Sequence, residues 1–300
     1  MDEQRLLAER FEAHRGRLRA VAYRMLGSLS EADDAVQDAW VRISRADTSD
    51  IENIGGWLTT VVARVCLNML RARKSRREET LPVLLPEPIL DGEDGVDPEH
   101  AALVGDSVGL ALFVVLETLA PAERVAFVLH DVFAVSFAEI APIVGRSPTA
   151  ARQLASRARR RVRGVSPEHV SDLRGQRTVV EAFMAAVRNG DFEGLLAVLD
   201  PDVVLRADGG ARWVGGTREI RGAETVSRSA LTITRRLTGF TVRRALVNGG
   251  PGIVSWDEDG EPFSIMGFTV RGGLIIEIDV LADPERLRRL DFAVLDRSGS

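Results

Sequence analysis

The spacing of apolar residues changes along the chain and separates a helical part from a mixed part. Within residues 3–77 and 109–164, apolar positions recur every three or four residues, which is typical of helices that bury one face. Two more helices are predicted at Gln176–Arg188 and Phe192–Leu199, and after them the period shortens to that of strands. Five strand-like runs follow, separated by glycine-rich turns: Val203–Ala207, Thr241–Leu246, Gly252–Trp256, Phe263–Val270 and Leu274–Val280. We expect a multi-domain protein with two all-α domains followed by an α+β domain.

The first domain, predicted at residues 1–80, contains a helix with one acidic face. Ser30-Glu31-Ala32-Asp33 is similar to a capping box and predicts the start of this helix. Ala35, Ala39 and Ile43 form its apolar line. Three polar side chains recur on the other face: Asp34, Gln37 and Asp38. This face is either an ordinary solvated surface or a docking surface for a partner.

The next helix carries a row of polar and basic side chains. Asn53-Ile54-Gly55-Gly56 interrupts the helical pattern, and Trp57 is predicted to start the helix. The row recurs every three or four residues along one side: Thr60, Arg64, Asn68, Arg71 and Lys74. Such a row can follow a phosphate backbone, and Trp57 and Asn53 at its entry could hold an unstacked base. The alternative is that Trp57 belongs to the core.

Charge is strongly segregated on a chain whose formal net charge is −5. Six basic residues lie from Arg64 to Arg77 and seven from Arg146 to Arg163, with no carboxylate inside either stretch. Between them, Glu78–Asp106 holds nine carboxylates and no lysine or arginine. The pattern indicates two contacts with a polyanion, joined by an acidic tether, whereas two solvated helix ends are the alternative.

The tether is predicted at residues 81–108, where proline, glycine and acidic residues fit an extended linker. One stretch within it, Leu84-Leu85-Pro86-Glu87-Pro88, is more apolar than a free linker requires. We expect this stretch to dock onto another part of the protein.

Residues 109–166 are predicted to form a second all-α domain with a helix-turn-helix. Ser136–Glu139 is a capping box, Gly145 makes the turn, and Ser147-Pro148 starts the second helix. The cap and outer face of that helix are polar and basic: Ser147, Thr149, Arg152, Gln153, Ser156, Arg157 and Arg160. Arginine pairs with guanine and glutamine with adenine in the major groove, so this face predicts DNA recognition.

Composition narrows the classes of protein that fit. Cys66 is the only cysteine, which excludes an internal disulfide and a cysteine-based zinc site, and its apolar neighbours predict a buried thiol. No segment reaches 18 uninterrupted apolar residues, and no N-terminal stretch has the apolar core of a signal peptide. We expect a cytosolic protein with no membrane contact, no metal and no cofactor.

Together these features resemble a bacterial RNA polymerase sigma factor of the extracytoplasmic-function (ECF) type, within the sigma-70 family. Four stretches carry the resemblance: Asp33–Trp40, Gly56-Trp57-Leu58, Leu119–Arg124 and the helix-turn-helix Ser136–Arg163. The resemblance implies that Asp34, Gln37 and Asp38 contact core RNA polymerase. It also implies that the helix entered by Asn53 and Trp57 melts and reads the −10 element of promoter DNA. The second helix of the helix-turn-helix would read the −35 element.

The last part of the chain, residues 174–293, resembles a SnoaL-like domain, a conical α+β fold of the NTF2 type. A subgroup of ECF sigma factors carries such a domain in place of a separate anti-sigma protein, and three motifs mark that subgroup. They appear here as Leu85–Pro88, Asp208–Arg212 and Asp283–Leu287. The implied regulatory contacts are Leu85, Pro86, Glu87, Pro88, Asp208, Gly209, Gly210, Arg212, Asp283, Pro284 and Leu287.

Two other functions stay open at this point. An enzymatic C-terminal domain would need an acid–base pair, but residues 174–293 contain no His, Tyr, Lys or Cys, and Asp208 fits a turn as well as a lone base. A helix-turn-helix repressor or activator with a ligand-sensing domain would leave the Trp57–Arg77 helix and the acidic helix unexplained. We therefore predict a non-enzymatic sigma factor whose C-terminal domain regulates it in cis, by docking or by sensing a small-molecule ligand.

Overall fold

A computed structural model describes residues 2–44, 51, 53–77, 85–93, 115–162, 173–212, 216–234 and 239–295. The chain divides into two compact units. The first comprises Met1–Leu81 and Val115–Ser166, and the second comprises Pro82–Val114 and Pro167–Ser300. The described part of the first unit is helical, and the second unit contains the sheet.

Three helices form the first half of the first unit: α1 (Asp2–Leu26), α2 (Leu29–Ile43) and α3 (Ile54–Arg77). They pack against one another, and Tyr23, Ala39 and Cys66 are fully buried between them. Burial raises the pKa of the Cys66 thiol to about 12. The prediction of a buried, unreactive thiol is therefore confirmed.

The link between α1 and α2 is short because each helix terminus carries its own local signal. Gly27 adopts a φ of 74°, a conformation that favours glycine, and α1 ends there. The Ser28 hydroxyl then accepts a hydrogen bond of 3.3 Å from the backbone N–H of Glu31 and caps α2. The predicted cap at Ser30 is wrong by two residues, because the hydroxyl that follows Gly27 directly takes that place.

The second half of the first unit is the predicted helix-turn-helix with one preceding helix. Helix α4 (Pro121–Phe127) continues into a π-helical turn, and α5 (Phe137–Val144) and α6 (Pro148–Val162) follow. Ser136 and Glu139 cap each other reciprocally at the start of α5, and Gly145 has the left-handed conformation that the turn requires. The helix-turn-helix is confirmed, with α3 of the first half in contact with α4 and α5.

The second unit is built on a seven-stranded sheet with the order β1-β4-β5-β6-β7-β2-β3. All neighbouring strands are antiparallel except β2 and β7, which are parallel. The strands are β1 (Leu90–Asp91), β2 (Leu199–Asp208), β3 (Thr217–Arg221), β4 (Thr241–Val247), β5 (Gly250–Trp256), β6 (Pro262–Arg271) and β7 (Leu274–Leu281). Helices α7 (Leu173–Asn189), α8 (Phe192–Val198) and α9 (Ala223–Thr234) pack on one face of the sheet, around Phe183, Leu195 and Val226.

Two elements of this unit have little sequence signal. Strand β3 exposes Arg218, Glu219 and Arg221, so it lacks the alternation that predicts a strand. Helix α9 is rich in threonine and serine, which are weak helix formers. Tertiary contacts therefore determine the secondary structure of β3 and α9. The apolar pattern of the sequence alone predicts neither element.

A second core lies against the other face of the sheet, around Val254, Ile265 and Leu281. It is covered by the short helix α10 (Pro284–Leu287) and by residues 85–93, which we call the strap. Within the strap, Leu90 and Asp91 form β1 and pair with β4. The expectation that Leu84–Pro88 docks onto another part of the protein is confirmed for the described residues Leu85–Pro88, while Leu84 lies outside them. Within 85–93 the extended linker predicted over residues 81–108 is replaced by the strap, because its apolar side chains complete a core.

A cluster of charged side chains is buried in the sheet near its β3 edge. Arg206 of β2 lies 3.2 Å from Glu277 and 3.5 Å from Asp279, both on β7, and 3.3 Å from Glu219 of β3. One guanidinium thus faces three carboxylates. Burial and the negative charge of Glu277 raise the pKa of Asp279 to about 7, against the attraction of Arg206.

This raised pKa makes the stability of the second unit depend on pH. Asp279 keeps its proton in the folded state up to about pH 7, whereas it loses it near pH 4 when unfolded. The contribution of Asp279 to the free energy of unfolding is therefore greatest below about pH 4. It is lost as the pH rises to about 7, by up to about 1.4 kcal/mol per pH unit. We expect Asp279→Asn to raise the melting temperature of this unit more at about pH 8 than at about pH 5, as measured by calorimetry. The melting temperature of the exposed Asp202→Asn control should differ from that of wild type by the same amount at both pH values. If the melting temperature of Asp279→Asn also differs from wild type equally at both pH values, the raised pKa of Asp279 is contradicted.

Candidate nucleic-acid and partner interfaces

Helix α6 has one buried face and one exposed polar face. Ala151, Ala155 and Ala158 are fully buried, and their small side chains let α6 lie close to the helices beneath it. All the predicted contacts on the outer face are exposed: Thr149, Arg152, Gln153, Ser156, Arg157 and Arg160. Ser147 lies at the start of α6, where its hydroxyl accepts the backbone N–H of Ala150 at 3.2 Å. The structure thus brings the predicted DNA-reading residues together on one surface.

Two arginines of α6 are fixed by a buried carboxylate of α4. Glu123 accepts hydrogen bonds of 2.8 Å from Nε of Arg157 and from Nη1 of Arg161. Burial opposes ionisation of Glu123, but the Arg157 hydrogen bond and the Arg161 charge outweigh it and lower the pKa of this carboxyl. Arg157 therefore reaches the outer face with its Nε already bonded within the protein. Arg152 lies instead over the Phe137 ring, 5.4 Å from its centroid.

The row on α3 is also exposed in the described structure. Arg64, Asn68, Arg71 and Lys74 all reach the surface, whereas Thr60 and Trp57 are half-buried. Half-burial is compatible with both interpretations of Trp57, a core residue or a platform for a base.

The entry to α3 differs from the prediction. The helix begins at Ile54, and Gly55 and Gly56 form its first turn instead of interrupting the pattern before Trp57. Asn53 caps this turn, because its Oδ1 accepts the backbone N–H of Gly56 at 3.0 Å. A Cβ on Gly56 would lie 2.8 Å from Nδ2 of Asn53, so a larger residue there would displace the capping side chain. Asn53 is exposed.

One arginine of the first basic stretch, Arg73, is bonded to other parts of the first unit. Arg73 donates to the carbonyl of Leu26, to Glu31 and to Glu117, the last at 3.3 Å. Glu117 also pairs at 2.6 Å with Arg124, whose side chain is only 2% exposed. These bonds join α3 to the segment that leads into α4. The sequence shows two carboxylates on either side of Pro121, Glu117 and Glu123, but no sequence pattern indicates which arginines they pair with.

Helix α2 presents the predicted docking residues to solvent. Asp34, Gln37 and Asp38 are exposed, and Val41 beside them is 45% exposed. Asp33 is held by Arg19 through two bonds of 2.7 and 3.1 Å, so it belongs to the packing of α2 on α1. The exposed face is therefore acidic with one apolar edge.

In the second unit, the three predicted regulatory motifs meet at one point. Asp208, at the end of β2, is 1% exposed and pairs with Nη1 of Arg286 at 2.5 Å. Nη2 of the same arginine donates to the carbonyl of Leu85 in the strap. The remaining strap residues of this motif, Pro86, Glu87 and Pro88, are buried. Arg286 was not among the predicted contacts, although it lies within the Asp283–Leu287 motif.

The other motif residues support this junction. Asp283 caps α10, Pro284 is its first residue, and Leu287 is buried in the second core. Gly210 adopts a φ of 51°, and a Cβ there would lie 2.3 Å from the Asp283 carboxyl, so only glycine fits. The backbone N–H of Gly209 donates to Gly216, and Arg212 reaches in another direction to the carbonyl of Phe263 at 3.1 Å.

The strap is also held at its middle and at its end. Asn248 exchanges two hydrogen bonds with Ile89, of 2.6 and 2.8 Å, through its side-chain oxygen and its backbone N–H. Glu93 pairs with Arg244 of β4 at 3.2 Å. The strap is therefore an integral part of the second unit.

Sequence comparisons connect these surfaces to known proteins. Residues 10–76 match sigma-70 region 2, residues 110–162 match sigma-70 region 4, and residues 180–279 match the SnoaL-like domain. The ECF RNA polymerase sigma factor SigJ of Mycobacterium tuberculosis is 40% identical over 288 residues, covering 92% of this chain and 91% of SigJ. The probable ECF RNA polymerase sigma factor SigI of the same organism is 34% identical over 283 residues, covering 92% of this chain and 93% of SigI.

A structural comparison agrees with the sequence matches. The crystal structure of the M. tuberculosis extracytoplasmic function sigma factor SigJ matches with a TM-score of 0.75 and 36% identity, over 94% of this chain and 98% of that chain. The chain belongs to the ECF family of RNA polymerase sigma factors, with a SnoaL-like domain at its C-terminal end. The predicted fold class, helical sigma domains followed by an NTF2-like domain, is confirmed. Among the residues that the structure describes, no helix has the length and apolar character to cross a membrane.

The junction at Arg286 generates a prediction for the strap. Arg286→Gln leaves the buried Asp208 carboxylate without its cation, a loss that costs about 3 kcal/mol or more. We expect the backbone N–H groups of the strap to exchange with deuterium faster in this variant, as measured by hydrogen-exchange mass spectrometry. Arg288→Gln, two residues away and exposed, is the matched control and should exchange like wild type. Equal strap exchange in both variants would show that Arg286 does not hold the strap.

Proposed function

We propose that this protein binds core RNA polymerase and directs it to start transcription at promoters with two elements, read by α3 and α6. In this proposal, residues 1–80 are region 2, residues 109–166 are region 4, and residues 174–293 together with the strap are the regulatory domain. The single observation that carries it is the exposed face of α6, where arginine and glutamine side chains stand on a capped helix-turn-helix. Membership of the ECF sigma factor family supports it.

The polymerase contact is assigned to Asp34, Gln37 and Asp38. These side chains are exposed on one face of α2, and the neighbouring Asp33 is already held by Arg19. An exposed acidic face beside the apolar Val41 suits a partner surface with basic side chains around an apolar patch.

The two promoter elements are assigned to the two exposed basic rows. On α3, four exposed side chains can follow the backbone of the −10 element: Arg64, Asn68, Arg71 and Lys74. Asn53 and Trp57 at the start of α3 would hold a base that leaves the stack. On α6, Arg152, Gln153 and Arg157 would read bases of the −35 element, while Ser147, Thr149, Ser156 and Arg160 would position the helix on phosphates.

The C-terminal unit is proposed to regulate rather than to catalyse. Between α7, α9 and the sheet lies a cavity of about 470 Å³, which we call the cone cavity. Among its described lining residues are no carboxylate and no histidine, the groups on which acid–base catalysis most often depends. The protein acts in this proposal where core polymerase does, in the cytoplasm.

Regulation in cis follows from the position of the strap in the chain. The strap lies between α3 and α4 in sequence, yet it is bonded to Arg286, Asn248 and Arg244 of the second unit. The second unit therefore holds a segment that connects the two DNA-reading domains in sequence. Because the anchor is intramolecular, it acts at a high effective concentration and holds even when each contact is weak.

Run-off transcription with core polymerase tests the sigma function. The wild-type chain should give specific starts from genomic promoter fragments, and Asp38→Arg should lose them together with polymerase binding in a pull-down, because it places a cation on the acidic face. Asp38 is exposed, so the melting temperature should not change. Glu193→Arg, the same charge change on the exposed face of α8, is the control. Promoter binding without polymerase, and no start with it, would favour a helix-turn-helix repressor instead.

Base recognition by α6 is tested on promoters with single changes in the upstream element. Arg152→Ala should cost about 1–3 kcal/mol on the preferred sequence and should reduce discrimination at one base pair, as measured by binding of the holoenzyme. Arg161→Ala is the control: Arg161 is not among the proposed base contacts, so its replacement should leave discrimination between sequences unchanged. If Arg152→Ala instead weakens all sequences equally, Arg152 is a phosphate contact.

The regulatory proposal is tested with the strap variant. Arg286→Gln should raise run-off transcription relative to wild type and to Arg288→Gln at equal protein concentration, because it removes a contact through which the second unit restrains the two DNA-reading domains. If Arg286→Gln gives the same amount of run-off transcription as Arg288→Gln, the strap does not regulate this sigma factor. The functions assigned to α2 and α6 would not be affected.

A further inference from the structure

The cone cavity has the size and lining of a binding site for a small molecule. Its volume of about 470 Å³ falls within the range of ligand pockets, about 300–1,000 Å³. Phe183 and Val187 of α7, Ile253 of β5 and Ile278 of β7 line it with apolar side chains. An apolar guest would gain dispersion contacts with these lining side chains.

One polar corner interrupts the apolar lining. Ser255 of β5 and Ser264 of β6 face each other, with 2.7 Å between their hydroxyl oxygens. One proton joins the two oxygens, so the pair can still offer a proton and lone pairs to a ligand. Arg188, the one charged residue among the described lining residues, is exposed.

We propose that the cone cavity binds a small, uncharged and mostly apolar molecule with one hydrogen-bonding oxygen. Among the described lining residues the only charged group, Arg188, is exposed, so a carboxylate or ammonium group placed among the apolar side chains would lose its hydration without meeting a buried opposite charge there. A hydroxyl or carbonyl group can instead bond to the Ser255–Ser264 pair. The proposal supplies a chemical signal for the regulatory role given above and rests on that role only for its biological meaning.

The walls of the cavity connect a guest to the strap junction. Phe263 lines the cavity, and the Arg212 guanidinium lies over its ring, 4.5 Å from the centroid. Ala282 also lines the cavity, and its backbone N–H donates to the carbonyl of Asp208 at 2.6 Å. Asp208 is the residue that pairs with Arg286. A guest that moves Ala282 therefore acts one residue away from the junction, whereas Phe263 connects the cavity to Arg212 of the same motif as Asp208.

Binding of N-phenyl-1-naphthylamine to the full chain tests the proposal without polymerase. This uncharged dye fluoresces in apolar surroundings and should bind saturably at one site per chain. Ala230→Phe and Met266→Trp both fill the cavity and should each weaken binding by about tenfold or more. Ala182→Phe, on the exposed side of α7, is the matched control, and circular dichroism identifies which variants are folded. Undiminished binding to a folded cavity-filling variant overturns the proposal.

Competition defines the chemical class of the guest. Decan-1-ol should displace the dye, and decanoate at neutral pH should displace it about tenfold less well or worse, since its carboxylate meets no buried cation among the described lining residues. Ser264→Ala should weaken displacement by decan-1-ol about threefold or more. Equal displacement by the two competitors overturns the uncharged class. Because these assays measure binding alone, their failure leaves run-off transcription unaffected, and failure of the sigma function leaves them interpretable.

Discussion

The Arg286 guanidinium is the interaction on which the arrangement of the second unit depends. It lies on α10, pairs with a carboxylate at the end of β2, and donates to the strap carbonyl of Leu85. A carboxylate as buried as Asp208 is stable only with a charged or hydrogen-bonded partner. Three segments that are far apart in sequence are therefore held by one cation. The glycine at Gly210 belongs to the same constraint, because any side chain there would collide with Asp283.

In the first unit, buried carboxylates separate the arginines into two groups. Glu117 and Glu123 hold four of them in place: Arg73, Arg124, Arg157 and Arg161. The exposed arginines of α3 and α6, such as Arg64 and Arg152, are left to face solvent or a polyanion. Part of the charge in the dense basic stretches is therefore paired inside the fold, although Arg157 also reaches the exposed face of α6, where its base contact is proposed.

Local signals explain which elements could be predicted. The helix-turn-helix follows from a capping box at Ser136 and a glycine turn at Gly145, both of which act within a few residues. Ser28 and Ser30 offer equivalent hydroxyls, and the position of Gly27 decides between them. Strand β3 and the strap depend instead on partners nine or more residues away in sequence, which no local pattern contains. For the same reason, the family motifs predicted which segments matter, but the role of Arg286 required the fold.

Release of the strap from the second unit costs free energy. Strand β1 covers the edge of β4, and a bare strand edge presents unpaired backbone groups. Leu85, Ile89 and Leu90 are almost completely buried, so exposing them would cost roughly 5 kcal/mol or more. A ligand or partner shifts such an equilibrium only by the difference between its affinities for the two states. If binding of polymerase and promoter requires a released strap, their binding free energy to the released state must be more favourable by about the cost of that release. A molecule in the cone cavity then needs to change only the part of the cost that the Asp208–Arg286 pair contributes.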